Sequence, residues 1–235
     1  MGEWSTYSLD DFVMFSPSAW YRLVEMHNRA WWPLQIVVAL MGAALAWSIH
    51  RRQRQALRMA LMLIGVGLVF VAWAFHWGPH AGINLAAPYF ALVFGVQGAL
   101  LISLVLLRPA LVLARSNDMT DLALALLVFS QLLYPLLAPG LWARPWPQSE
   151  WFALAPDPTM LAALAVVLLL LCGGHGMRHP RRSWALLSFL PVSWCAVAGG
   201  TSWTLGASGW WLMPSAAVLV CAVGAWQASR HQPAS

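Results

Sequence analysis

Seven apolar stretches divide this chain, at 32–50, 57–77, 82–107, 119–138, 158–174, 183–203 and 208–228. A helix that crosses a bilayer needs about 20 apolar residues, with a range of about 17–25. Each stretch is expected to be helical, because backbone groups in lipid find no water and must bond within their own segment. Between the stretches the chain turns polar, basic or rich in Pro and Gly. The pattern predicts an all-α fold, a polytopic transmembrane helix bundle with seven spans.

Composition agrees with the pattern. Of 235 residues, 60% are hydrophobic and 9% are charged, against about 25% charged in soluble domains. The mean hydropathy is +0.66. Such a chain cannot clothe a water-facing surface, and its expected partner is the lipid bilayer. The net charge of +5 is too thinly spread to suggest nucleic acid. Cys172, Cys195 and Cys221 match no disulfide or zinc spacing and read as small packing residues. The first thirty residues carry Glu3, Asp10, Asp11 and Glu25 and do not read as a signal peptide.

Charge gives the expected direction. All thirteen basic residues are Arg. Arg51, Arg52, Arg54, Arg58, Arg108, Arg115, Arg178, Arg181, Arg182 and Arg230 fall on one side of a seven-span plan; Arg22, Arg29 and Arg144 fall on the other. The positive-inside rule places the larger group in the cytoplasm, the N-terminus outside and the C-terminus inside. The expected parts are an extracytoplasmic amphipathic segment over 1–31, a transmembrane domain over 32–228 and a cytoplasmic tail over 229–235. Most Trp residues, among them Trp31, Trp32, Trp73, Trp77, Trp142, Trp146, Trp151, Trp203, Trp210 and Trp211, fall at the outer ends. They read as an interfacial belt or as the walls of an external cavity. The first and last three spans run in the same sense. At an offset of 126, Arg52/Arg178, Trp77/Trp203 and Pro88/Pro214 coincide. The likeness to parallel-repeat carriers is topological only.

The outer side also carries the irregular chain. Ser8 and Asp11 have capping-box spacing, and Ser16 followed by Pro17 starts a helix whose Trp20, Leu23, Val24 and Trp31 share one face. That helix lies on the outer leaflet or packs on the bundle. The connection 138–158 has three Trp and several Pro, too apolar for disorder and too proline-rich for a long helix. It reads as a folded lid, with Thr159 helping to cap the span that follows.

The chemistry concentrates there. In WAFHWGPHAGIN, residues 73–84, Gly78-Pro79 separates His76 from His80. The two histidines with Asp157 or Glu150 are the candidate metal ligands, although two His make only half of a closed site; the alternative is a pair of interfacial histidines bonded to carbonyls or water. His175 and His179 sit among arginines, which disfavour a cation. Polar residues inside apolar spans are costly in lipid. Asn84, Gln97, Ser130 and Gln131 lie there, with Tyr134 above them. They tie helices together, at about 0.6–2 kcal/mol each, or line a pocket. Pro88 and Pro191 are expected to kink their spans. His76, Asn84, Gln97, Tyr134 and Asp157 are the candidate ligand-binding residues.

FSPSAWYRL followed by Trp-Pro, the run from Phe75 to Gln97 containing IN and AAPYF, LYP at 133–135 and PWPQSEWFALAPDPT resemble, as a set, an uncharacterised bacterial family of multispanning membrane proteins sometimes labelled permeases. The resemblance implies the bacterial inner membrane and brings no activity, substrate or catalytic residue. Three functions stay open: a small-solute carrier or binding protein with an outward-facing pocket, an intramembrane metal-dependent enzyme, and a non-catalytic subunit packed against a partner in a homo- or hetero-oligomer. The sequence assigns no cofactor.

Overall fold

A computed structural model of the protein describes residues 15–113, 118–175 and 180–230. Helix α1 (Pro17–Ala30) turns into α2 (Leu34–His50) at 86°. Helix α3 (Ala56–Phe70) runs on as a π-helix over Val71–Trp77 and, after Gly78, a 3₁₀ turn over Pro79–Gly82. Next comes α4 (Ala87–Leu107). Helix α5 (Asp118–Val128) passes through a π turn, Phe129–Leu133, and a 3₁₀ turn, Tyr134–Leu136, into the short α6 (Leu137–Gly140). The connection that follows holds one more 3₁₀ turn, Trp146–Gln148. The chain closes with α7 (Pro156–Gly173), α8 (Pro180–Thr204) and α9 (Leu212–Arg230). Two short strands, β1 (Val112–Leu113) and β2 (Gly174–His175), pair antiparallel.

Helices therefore underlie all seven apolar stretches. Four segments are long and apolar enough to cross a membrane: Ala56–Gly82, Ala87–Leu107, Met119–Gly140 and Ser183–Thr204. The bent pair α1–α2 makes a fifth, and Pro156–Leu171 and Leu212–Gln227 are shorter apolar helices. The expected cap at Ser8 and Asp11, Arg115, Arg178, His179 and the tail from 231 onward lie outside the described residues.

The bundle is built around α7. Every residue from Pro158 to Leu170 is buried, and α3, α5, α8 and α9 pack against the helix. A helix without a polar face suits an interior position, and Ala162, Ala163 and Ala165 let neighbours come close. At one end, which we call the basic end, the connections after α2, α4 and α7 meet. Arg58 Nη1 donates to Arg108 O at 2.8 Å, Leu113 N donates to Arg54 O at 3.4 Å, and β1 pairs with β2.

The opposite end carries α1 and the 141–155 connection. Ser16 caps α1, its Oγ accepting from Ala19 N at 3.2 Å, with Pro17 in the first turn where a missing N–H costs nothing. Glu25 and Arg29 pair at 2.6 Å on the outer face, while Leu23, Val24, His27 and Asn28 are buried. The apolar face of α1 is thus taken up by the bundle itself. Asn28 Nδ2 donates to Pro147 O at 2.9 Å and to Ser149 O at 2.7 Å, which pins the connection to α1. Thr159 Oγ accepts from Ala153 N at 2.8 Å and donates to Ala155 O at 2.6 Å, closing the turn into α7.

Two expectations about the third apolar stretch are corrected. Helix α4 begins at Ala87, so Pro88 sits in its first turn and does not kink it. Asn84 accordingly lies in the turn before the helix, where its Oδ1 accepts from Ala86 N at 2.8 Å. The physical reason is that a prolyl residue lacks the N–H that an upstream extension of the helix would require. Pro191, by contrast, is inside α8.

Helices α3 and α4 approach through glycine. A Cβ on Gly98 would stand 2.6 Å from Gly65 O and 2.8 Å from Val69 Cγ2; one on Gly95 would meet only Ala72 Cβ, at an ordinary 3.9 Å. Gly98→Ala should therefore lower the thermal midpoint of the detergent-solubilised protein, at a cost of about 1–3 kcal/mol from overpacking. Gly95→Ala should be neutral or slightly stabilising, since Ala loses less backbone entropy in a helix. Equal midpoints for the two variants would refute the close-packed seam.

Candidate functional site

A cavity of about 290 Å³ lies at the end opposite the basic end, where α1, the 141–155 connection and the turns before α4 and α9 converge. Helix α1 contributes Trp20 and Tyr21 to its wall. His80 and Asn84 come from the approach to α4, Phe90 from the first turns of α4 itself, and Tyr134 from the end of the α5 segment. The connection supplies Trp142, Arg144 and Glu150; α7 supplies Asp157; α8 supplies Trp194, Ala198 and Thr201. The turn 205–209 and Met213 complete the wall. Trp142 is seated on Gly209, where any Cβ would strike its indole, so the connection and the α8–α9 turn fit only with glycine there.

The ionisable groups are held in place by aromatic side chains. Trp20 Nε1 donates to Glu150 Oε1 at 3.2 Å, and Trp194 Nε1 donates to Asp157 Oδ1 at 3.0 Å. Tyr134 lines the same cavity alongside the two carboxylates. The Arg144 guanidinium lies over the rings of Tyr21, at 4.4 Å, and Trp142, at 4.8 Å. Its Nη1 is buried without a hydrogen-bond partner. Arg144 is in ion-pair contact with neither carboxylate; the one ion pair among the described residues joins Arg29 to Glu25.

A polar relay leads from the cavity wall into the core. Asn84 Oδ1 accepts from Ala86 N, which turns Asn84 Nδ2 toward His80 Nε2 at 3.2 Å. His80 Nε2 is therefore the acceptor, and the proton of the neutral ring sits on Nδ1. From there it is donated to His76 Nδ1 at 2.9 Å. His76 in turn carries its proton on Nε2, which is buried without a partner. Its ring is enclosed by Phe94, at 4.5 Å between centroids, and Trp194, at 5.4 Å.

Of the five residues expected to bind a ligand, Asn84, Tyr134 and Asp157 line the cavity. His76 and Gln97 do not. His76 is fully enclosed because the π-helix continues through Trp77 and holds it below the break; His80, beyond the break, faces the cavity in its place. Gln97 ties α4 to α8, its Nε2 donating to Leu187 O at 2.9 Å. Gln131 is buried against Gly42. For the metal set of His76, His80 and Asp157, the two imidazoles meet nitrogen to nitrogen in a hydrogen bond, and no group of three His, Cys, Asp or Glu among the described residues has the geometry to hold an ion. Sequence reasoning did not weigh Arg144 and Trp194 for the site. Trp194 carried a signal, since a Trp deep inside an apolar stretch is out of place in an interfacial belt. Arg144 carried one too, as a lone arginine within an aromatic connection.

Together these features describe an all-α bundle with four to five candidate membrane spans and a charged, aromatic cavity at one end. The chain belongs to a family of unknown function (DUF6064), whose model matches residues 18–233. No curated protein and no solved structure matches it.

The relay has a measurable signature. In ¹⁵N-histidine-labelled protein, His80 should resonate as the Nδ1–H tautomer and His76 as the Nε2–H tautomer. Asn84→Leu should cost about 1–3 kcal/mol of stability by leaving a buried acceptor unmet. The reverse tautomers at either ring would disprove the direction of the relay.

Proposed function

We propose that this protein is a multi-pass membrane protein that binds a small polar solute in its end cavity and acts as a carrier or binding protein. The observation that carries the reading is the cavity itself. Ligand pockets typically run about 300–1,000 Å³ and combine apolar walls with a few converging polar groups. Here the volume is about 290 Å³, and Arg144, Glu150, Asp157, Tyr134, His80 and Asn84 converge within aromatic walls. Charged groups at the end of a bundle this apolar are costly to keep without a use.

In this reading the seven apolar helices cross the bilayer in alternation. The meeting of the connections after α2, α4 and α7 at the basic end supports it, because an alternating plan returns those three to one side. The arginines there, by the positive-inside rule, face the cytoplasm. The cavity then opens on the outer face of a bacterial inner membrane.

Ala198 lines the cavity from α8 and tests both parts. With Cys172, Cys195 and Cys221 replaced by Ala, Ala198→Cys should react in intact cells with a membrane-impermeant thiol reagent. A fluorescent reporter fused after Ser235 should be active in the cytoplasm. Labelling that requires permeabilised cells would reverse the orientation; no labelling under either condition would remove the solvent-reached cavity and the solute-binding reading with it.

A further inference from the structure

The arrangement of charge in the cavity narrows the class of solute. Arg144 stacks on Tyr21 and Trp142, and one of its terminal nitrogens is buried without an acceptor. Glu150 and Asp157 are each anchored through one oxygen by an indole N–H. One guanidinium and two carboxyl groups thus share a cavity of about 290 Å³, yet the guanidinium makes no ion pair with either of them. The stacking and the two indole bonds hold them in fixed places along the wall. Opposite charges kept apart in an apolar setting are each short of a counter-charge.

A simple anion would answer Arg144 but would face two carboxylates. A simple cation would suit the carboxylates and the surrounding rings but would leave the guanidinium unmet and be repelled by it. A molecule bearing both charges a few ångströms apart satisfies the two groups at once, with a carboxylate forked onto the planar guanidinium. We propose that the solute is a small zwitterion of amino-acid type, with its carboxylate at Arg144 and its ammonium group between Glu150 and Asp157, against Trp20 and Trp194. This assignment rests on the solute-binding reading of the same cavity.

The test uses the full chain in lipid nanodiscs and two sets of matched compounds. L-phenylalanine, phenethylamine and 3-phenylpropionate share one skeleton with both charges, the amine alone and the acid alone; L-leucine, isopentylamine and 4-methylpentanoate do the same on a smaller one. In at least one set the zwitterion should bind about tenfold tighter or more than either single-charge analogue by calorimetry. Arg144→Gln should abolish its advantage over the amine, and Asp157→Asn its advantage over the acid. Should Arg144→Gln fail to fold, Arg144→Lys keeps the charge without the planar fork and should weaken the zwitterion while leaving the amine unchanged. A single-charge compound that matches the zwitterion in both sets overturns the assignment, as does the absence of millimolar binding by all six compounds. Labelling of Ala198→Cys from outside alongside either result leaves the cavity reading in place and removes only the zwitterion; loss of labelling removes both.

Discussion

Asp157 is the one charged residue on a helix that is otherwise apolar, and its bond from Trp194 fixes where that helix lies. A carboxylate on the first turn of an apolar helix is costly against hydrocarbon. It needs hydrogen-bond donors that the lipid does not have, and here one comes from Trp194 on the neighbouring helix. With that end held inside, the rest of α7 follows into the centre of the bundle, and α3, α5, α8 and α9 close around it. The cavity is the space left where the wrapping helices diverge over the end of α7.

Glu150 works in the same way on the other wall. Its bond from Trp20 joins the 141–155 connection to α1, and Asn28 and Gln148 add further links between the two. Tryptophan suits this role because it brings a large apolar body and a single N–H donor. Each indole fills the wall and orients a carboxylate in one placement. The connection is therefore a fixed part of the cavity, locked on its far side by Trp142 against Gly209.

Much of the helical plan was legible in the sequence. The seven apolar stretches became helices, and Ser16-Pro17 started α1 as its capping chemistry predicted. Three of the five expected ligand residues line the cavity: Asn84, Tyr134 and Asp157. Of the two histidines, His76 was expected to meet a ligand, but it is enclosed in the core and His80 lines the cavity. The proline at 79 was visible, but the π winding of Val71–Trp77 that sets the direction of His76 was not. Gln97 was ambiguous from the start, because an amide inside an apolar helix serves equally well as a tie or as a ligand contact. Its tie to Leu187 spans 90 residues and has no trace in either local pattern.

The sequence by itself determined which segments are apolar helices, where proline and glycine break them, and which few polar residues interrupt them. These are local properties, governed by backbone hydrogen bonding and by transfer of side chains out of water. Only the tertiary structure decided that α7 is the central helix, that His80 rather than His76 faces the cavity, and that Arg144 stands apart from Glu150 and Asp157. Lipid tails are as apolar as leucine side chains, so hydropathy does not distinguish a helix face turned to lipid from one turned to protein. The pairings that build the site, Trp20 with Glu150 across 130 residues and Trp194 with Asp157 across 37, exist only after packing has brought their helices together.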